Sequence, residues 1–165
     1  MEVKLRNMTS IYLYNEQKQF WLLERIGSRV VKDNSYTGTA GGHFEKEELN
    51  DAMGCVLREL QEETGLTIND IQNLEFKYVT LRYKNNEIRQ NYYFFAQLNS
   101  NIGKIESNEG KLKLVEESEM RNLVMPHTSK YVIDHYLKEG KNTTCKYAGV
   151  AVEDGVNFVK LEDFQ

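Results

Sequence analysis

Three glutamates, Glu59, Glu62 and Glu63, stand close together in "RELQEETG", residues 58–65, next to Arg58 and just ahead of Gly65. Carboxylates at that density suit hard divalent cations, which take several carboxylate oxygens plus water. On a helix at 100° per residue, with Leu60 as origin, the three fall in a sector from roughly −60° to −160°. Met53, Val56 and Leu57 lie within roughly 60° of Leu60 and form an apolar stripe beside that sector, with Arg58 on the far side. Glu59 meets the other two at i+3 and i+4, where like charges destabilise a helix by a few tenths of a kcal/mol per pair. No lysine between Lys46 and Lys77 relieves this. A bound cation would relieve it, but so does plain solvation of an acidic face. The helix alone leaves both readings open.

The elements that must place these side chains are legible in outline. "NDAMGCVLRELQEETG" predicts a helix, with Asn50 as N-cap, Asp51 in the first turn and Gly65 as the terminating residue. "MTSIYLY" (8–14) and "QFWLLER" (19–25) are β-prone runs joined as a hairpin by "NEQK", and a glycine-containing loop follows from Gly27 to Gly42. After the helix, "LEFKYVTLRYK" and "IRQNYYFFAQL" predict two strands around Asn85 and Asn86, and "KLKLVEE" predicts a shorter one. "PHTSKYVIDHYLKEG" predicts a second helix with Pro126 at its first position and Gly140 at its end. "KYAGVAV" and "VNFVKL" flank "EDG" as a closing hairpin. That order predicts a mixed α/β layered domain.

Upstream of the glutamates, "TAGGHFEKEE" (39–48) sets paired glycines before Glu45, Glu47 and Glu48. Paired glycines let backbone approach a ligand or make a tight loop. Taken together, Gly41 to Leu66 resembles the signature of the Nudix hydrolases, G-x5-E-x7-R-E-U-x-E-E-x-G-U with U aliphatic. Arg58, Glu59, Leu60, Glu62, Glu63, Gly65 and Leu66 match its second half, and Gly42 and Glu48 match the first. Nine residues separate Glu48 from Arg58 where the pattern has seven, and Ala40 stands where proline is common.

The resemblance implies an α/β/α sandwich with a mixed sheet, a catalytic loop–helix and a C-terminal hairpin. It implies metal-dependent hydrolysis of a nucleoside diphosphate linked to another moiety, with Mg2+ as cofactor and Mn2+ as substitute. Carried over by position, Glu59, Glu62 and Glu63 are metal ligands, with Glu59 also a candidate base. The Gly42 carbonyl is a further ligand, Glu48 a weaker one, and Arg58 holds the glutamates in place. An acid outside the signature serves many members, and Glu116 or Glu117 is the candidate here. The small MutT-like type, which clears 8-oxo-dGTP, is the nearest group. The alternatives are a hydrolase of nucleotide sugars or dinucleotides and a non-catalytic nucleotide-sensing module. A Nudix-fold isomerase would need a catalytic cysteine, and neither Cys55 nor Cys145 has that setting.

Arg25, Arg29 and Lys32 lie on the approach to the glycine pair as candidate phosphate contacts, and His43 beside it is a candidate substrate contact. Tyr36, Tyr83, Tyr92, Tyr93 and Phe95 read as core before they read as a stacking platform. Cys55 and Trp21 read as packing, and His127 and His135 as structural or exposed.

Composition bounds the rest. With 165 residues, 40% of them hydrophobic, the chain suits one domain over 1–165. A formal charge of −4 without a basic stripe argues against a nucleic-acid polymer as partner, leaving a small nucleotide. No apolar run reaches the ~18 residues of a membrane span, and "MEVKLRNMTS" lacks the apolar core of a secretory signal. Two distant cysteines without a C-x-x-C spacing suit reduced thiols in the cytoplasm. For assembly, the sequence admits a homodimer without requiring one.

Overall fold

The computed structural model describes residues 2–25 and 35–165, so Arg29 and Lys32 lie outside the described residues. Its frame is a mixed sheet. β1 (Lys4–Tyr14) runs parallel to β6 (Glu87–Leu98), which pairs antiparallel along nearly its whole length with β5 (Ile71–Lys84). β8 (Lys146–Val152) lies parallel to β5 and closes an antiparallel hairpin with β9 (Gly155–Leu161). Asn85 and Asn86 both take positive φ, 52° and 59°, which makes the tight turn between β5 and β6 that their side chains tolerate.

The expected first hairpin forms, but only in part. β2 (Gln19–Arg25) pairs with β1 at Leu13↔Trp21 and Tyr14↔Phe20 and then diverges. Two short strands fill the gap: β3 (Ser35–Thr37) pairs with β2, and β4 (Ala40–His43) pairs with β1 from Met8 to Ile11. The glycine loop expected up to Gly42 thus contains strand. Its backbone groups are taken up by the edges that β1 and β2 leave open. β7 (Lys111–Glu116) covers the other edge of β2.

Strand alternation then builds two cores, one on each face. Ile11, Leu13, Phe94, Ala96 and Leu98 pack with Val56 and Leu60 of α1 (Ala52–Thr64). Tyr12, Tyr93 and Phe95 point the other way, against Val132, Ile133, Tyr136 and Leu137 of α3 (His127–Lys138). A short helix α2 (Glu117–Met120) links β7 towards α3. The result is the α/β/α sandwich. Trp21 sits in the α1-side core, as the sequence predicts, and Tyr93 and Phe95 are core on the other side. Tyr83 is 66% exposed and belongs to neither.

Both helix starts differ by one position from expectation. Asp51, not Asn50, caps α1, its carboxylate accepting from the Gly54 amide at 2.8 Å. Pro126 stands at the N-cap of α3, one position before the expected N1. His135 is structural, its Nδ1 2.7 Å from the Tyr78 hydroxyl, and His127 ties α3 to the carbonyls of Val152 and Gly155.

Candidate active site

Helix α1 carries its glutamates to the place where β4 crosses its flank. Gly65 ends the helix at φ 77°, its amide bonding the Gln61 carbonyl, so the last turn with Glu62 and Glu63 stays intact. The paired glycines matter because of what lies against them. A Cβ on Gly42 would meet Glu59 Oε1 at 2.4 Å, and one on Gly41 would meet the Thr9 carbonyl oxygen at 2.2 Å. The Gly41 amide donates to Glu63 Oε2 at 3.3 Å. Glu59 and Glu63, one turn apart, therefore face the same short piece of glycine backbone.

Arg58 organises the acids around it. Its Nε and Nη2 grip the two oxygens of Glu48 at 2.8 and 2.9 Å, in the planar fork that a guanidinium offers a carboxylate. Its Nη1 donates to Glu59 at 3.1 Å and Glu62 at 3.0 Å, and Nη2 reaches the His43 carbonyl at 3.1 Å. Helical geometry starts Arg58 away from the glutamate sector, but its long side chain turns back across the i+4 step to Glu62. Glu48 is thus recruited despite the two extra residues ahead of the helix. The extra length falls after Glu48, where the Leu49–Asp51 link leads into the start of α1. The Arg58 hydrogen bonds hold the Glu48 carboxyl below the usual carboxylate range. Glu45 lies 3.7 Å from the same guanidinium, at the rim.

Glu63 stands apart from that network. Burial pushes its carboxyl up to about 7, with the Gly41 amide and the Arg25 charge pulling down and Glu59 and Glu109 pushing up. Burial also raises Glu59, with Arg58 opposing. A buried carboxylate with Glu59 and Glu109 beside it gains from a bound cation. Glu109 is the residue the sequence reading missed. It reaches the site on the loop before β7, where the Asn108 amide and side chain bond the carbonyls of Glu63 and Glu62 at 3.0 and 2.9 Å. No spacing rule links residue 109 to residue 63; only this loop contact does.

These groups line one end of a cavity of about 470 Å³. Glu59, Glu63, Glu109, Gly41, Gly42 and Arg25 lie there, and His43 lines it too. Glu62 does not line it; its carboxylate is turned to Arg58. Nor do Glu116 and Glu117: Glu116 pairs with Gln19 at the opposite end of β2 from Arg25, roughly 20 Å along the strand, and Glu117 pairs with Lys141 at 2.6 Å. Cys55 is buried, its thiol pushed up to about 11 by burial, as befits packing and not a ligand or nucleophile.

Does this set fit a hard divalent ion? The donors are carboxylate and carbonyl oxygens throughout, the set magnesium prefers. Among the described residues no three acidic, histidine or cysteine side chains already converge on one point. What the backbone fixes is the shared wall: Glu59 and Glu63 on successive turns, facing glycine backbone, with Glu109 beside them.

Comparison with known proteins now bears on the same residues. The NUDIX domain family matches residues 4–136, which contain the helix, the glycine pair and strands β1 to β7. The chain belongs to the Nudix family. Its enzyme class is accordingly that of the Nudix hydrolases, which act on phosphoric anhydrides and generally use divalent metals. No curated protein matches it in sequence. Solved structures share its fold: a MutT protein from Bacillus halodurans is 20% identical, with 93% of this chain and 97% of that one covered at a TM-score of 0.64. A MutT protein from Methanosarcina mazei Go1 is 16% identical, covering 86% and 96% at 0.61. A C. elegans Ap4A hydrolase is also 16% identical, covering 83% and 95% at 0.60. The Nudix signature thus sits, in this chain, on the loop and helix that wall the cavity.

Proposed function

We propose that this Nudix protein hydrolyses a nucleoside diphosphate linked to another moiety, with Mg2+ (or Mn2+) held by Glu59 and Glu63. The observation that supports it is the pairing of those two carboxylates with the Gly41–Gly42 backbone at the end of one cavity. The Gly42 carbonyl and Glu109 are the further oxygen ligands we assign, with Glu48 and Glu62 kept in the outer ring that Arg58 organises. When bound, the metal would neutralise the phosphates and acidify a water for attack at phosphorus. The chain's own part is positioning. Arg58 fixes the ring of acids, the glycine pair lets Glu59 close on the backbone, and Arg25 at the cavity end meets phosphate charge. Glu59, beside the glycine pair and raised by burial, is the base we assign.

For substrate, 8-oxo-dGTP and related nucleoside triphosphates are the first to test, with nucleotide sugars and dinucleotides second. The fold neighbours include MutT proteins and an Ap4A hydrolase, the latter named for a dinucleotide. The free thiols Cys55 and Cys145 are in keeping with a cytoplasmic location, and no helix among the described residues is long and apolar enough to cross a membrane. The test is a panel of these nucleotides with magnesium, products separated, on the protein and on Glu63→Gln. Turnover should require the divalent ion and fall on the order of 100-fold or more in the variant. Near-normal magnesium-dependent turnover in Glu63→Gln would remove that residue from the ligand set. No hydrolysis of any member would favour the sensing module.

A further inference from the structure

The far end of the cavity has the opposite charge. Arg82 of β5 and Arg89 of β6 are direct cross-strand partners, so they share a face, and both line the cavity. Like charges placed opposite each other across a strand pair destabilise the sheet. Partial relief comes from Glu87, which pairs with Arg89 at 3.1 Å and also with Arg6 at 3.6 Å. Arg82 has no ion-pair partner among the described residues. Two guanidiniums, Arg6 and Arg89, thus share one carboxylate and Arg82 has none, while the acids that line the cavity, Glu59, Glu63 and Glu109, are all at the other end.

The surface between the two ends is polar. Asn91 and Ser10 bond each other at 3.2 Å across β6 and β1, and the Tyr93 hydroxyl lies 3.2 Å from Ser129. The Thr128 hydroxyl, on the first turn of α3, is buried without a hydrogen-bond partner and also lines the cavity. A buried hydroxyl left unpaired is a place for a ligand's polar atom.

The two ends are far apart. Register runs Gly42–Thr9–Tyr92–Val79 straight across four strands, and the arginines lie three residues further along β5 and β6. At ~4.8 Å between strands and ~3.3 Å per residue, the arginine backbones are on the order of 15 Å from the glycine pair. A group held by the guanidiniums therefore lies on the opposite side of the ligand from phosphates held at the glycine pair.

We infer that this cavity takes a substrate with a second anionic group, a phosphate or a carboxylate, on the side of its organic moiety remote from the scissile diphosphate. The inference rests on the hydrolase reading above and narrows it. A neutral base at the far end would leave Arg82 without a counter-charge and Arg89 with only the Glu87 carboxylate that Arg6 also contacts, whereas an anion matches both through charge-assisted hydrogen bonds.

The test is binding, read by calorimetry with calcium so that it does not depend on turnover. The probes are alkane-α,ω-diol bisphosphates of increasing length, the matching alkyl monophosphates, and analogues with a terminal carboxylate. One dianionic series should bind at least tenfold tighter than the monophosphate, with an optimum at the length that spans the cavity. Whichever series does so names the anion. Arg82→Gln, which breaks no ion pair, should bring that ligand down to the level of the monophosphate. Equal affinity at every length overturns the inference, and this arm needs no variant. So does a GMP-over-AMP preference that Arg82→Gln abolishes while the second anion gains nothing, for then the arginines read a base. Failure of the hydrolase reading looks different: no diphosphate is cleaved with magnesium, whatever the probes bind.

Discussion

The Glu59 carboxylate lies against the Cα of Gly42 so closely that a methyl group there would fall 2.4 Å from Oε1. The obstacle to a larger residue is a movable side chain, not backbone. Gly42→Ala should therefore fold, with its cost appearing in catalysis: Glu59 is pushed off the position it shares with Glu63, and displacements of about 1 Å at a reacting centre cost on the order of 100-fold in rate. Gly41→Ala meets the Thr9 carbonyl at 2.2 Å and should lose stability instead. Thermal unfolding and kcat measured on both variants separate the two outcomes. Loss of Tm in Gly42→Ala comparable with that in Gly41→Ala would show the glycine to be structural.

Glu63 gives a pH dependence with a definite sign. Its folded carboxyl is raised from the model-compound value of 4.5 to about 7 by burial. Between those values the folded chain holds the proton more tightly than the unfolded chain, so stability falls as pH rises through the window. In EDTA at pH 8, Glu63→Gln should then be more stable than the parent, by roughly 1–2 kcal/mol after discounting for solvent screening. Below pH 4.5 the gap should close, because both side chains are neutral there. Adding magnesium at pH 8 should reverse the order, since only the parent keeps the charged ligand. Denaturant melts at the two pH values decide it, and a gap independent of pH would show that Glu63 is not a strained carboxylate.

Gly54 looks from the sequence like a weak point in α1, worth ~1 kcal/mol against alanine. The structure gives it a reason. An added Cβ would meet Asp51 Oδ2 at 2.2 Å, so the glycine makes room for the cap that bonds its own amide. Gly54→Ala should accordingly bring little or no stabilisation, because gained propensity is offset by a cap worth ~1 kcal/mol. In an Asp51→Ala background the same change should stabilise by about 1 kcal/mol. Equal gains in both backgrounds, measured by denaturant unfolding, would exclude the coupling.

How much of this was legible beforehand follows from where each signal lives. The glutamate helix, its Gly65 terminus and the Asn85–Asn86 turn are local, and local pattern found them. β3 and β4 are three and four residues long. Too short for a period of two, they exist because β1 and β2 part after two pairs, and that is a tertiary fact. The fork between Arg58 and Glu48 was obscured by the inserted residues, which change the spacing along the chain without parting the two side chains. Arg82 and Arg89 are ordinary strand arginines until the β5–β6 register puts them face to face.

The acid outside the signature is the sharpest divergence between spacing and contact. Sequence order favoured Glu116 or Glu117, at the end of a strand, but Glu116 pairs with Gln19 and Glu117 with Lys141, away from the cavity. Glu109 lines the cavity and raises the Glu63 carboxyl. If Glu109 acts as a ligand or orients one, Glu109→Gln should lower kcat by roughly 10- to 100-fold and raise the magnesium concentration needed for half-maximal rate. Glu116→Gln should leave both close to the parent, as should Glu117→Gln apart from a small loss of stability. Magnesium titrations of initial rate on the three variants make the comparison. The magnesium requirement discriminates, because a merely structural loop contact would lower the amount of folded enzyme without shifting it. A normal requirement in Glu109→Gln with a raised one in Glu116→Gln would return the role to the strand end.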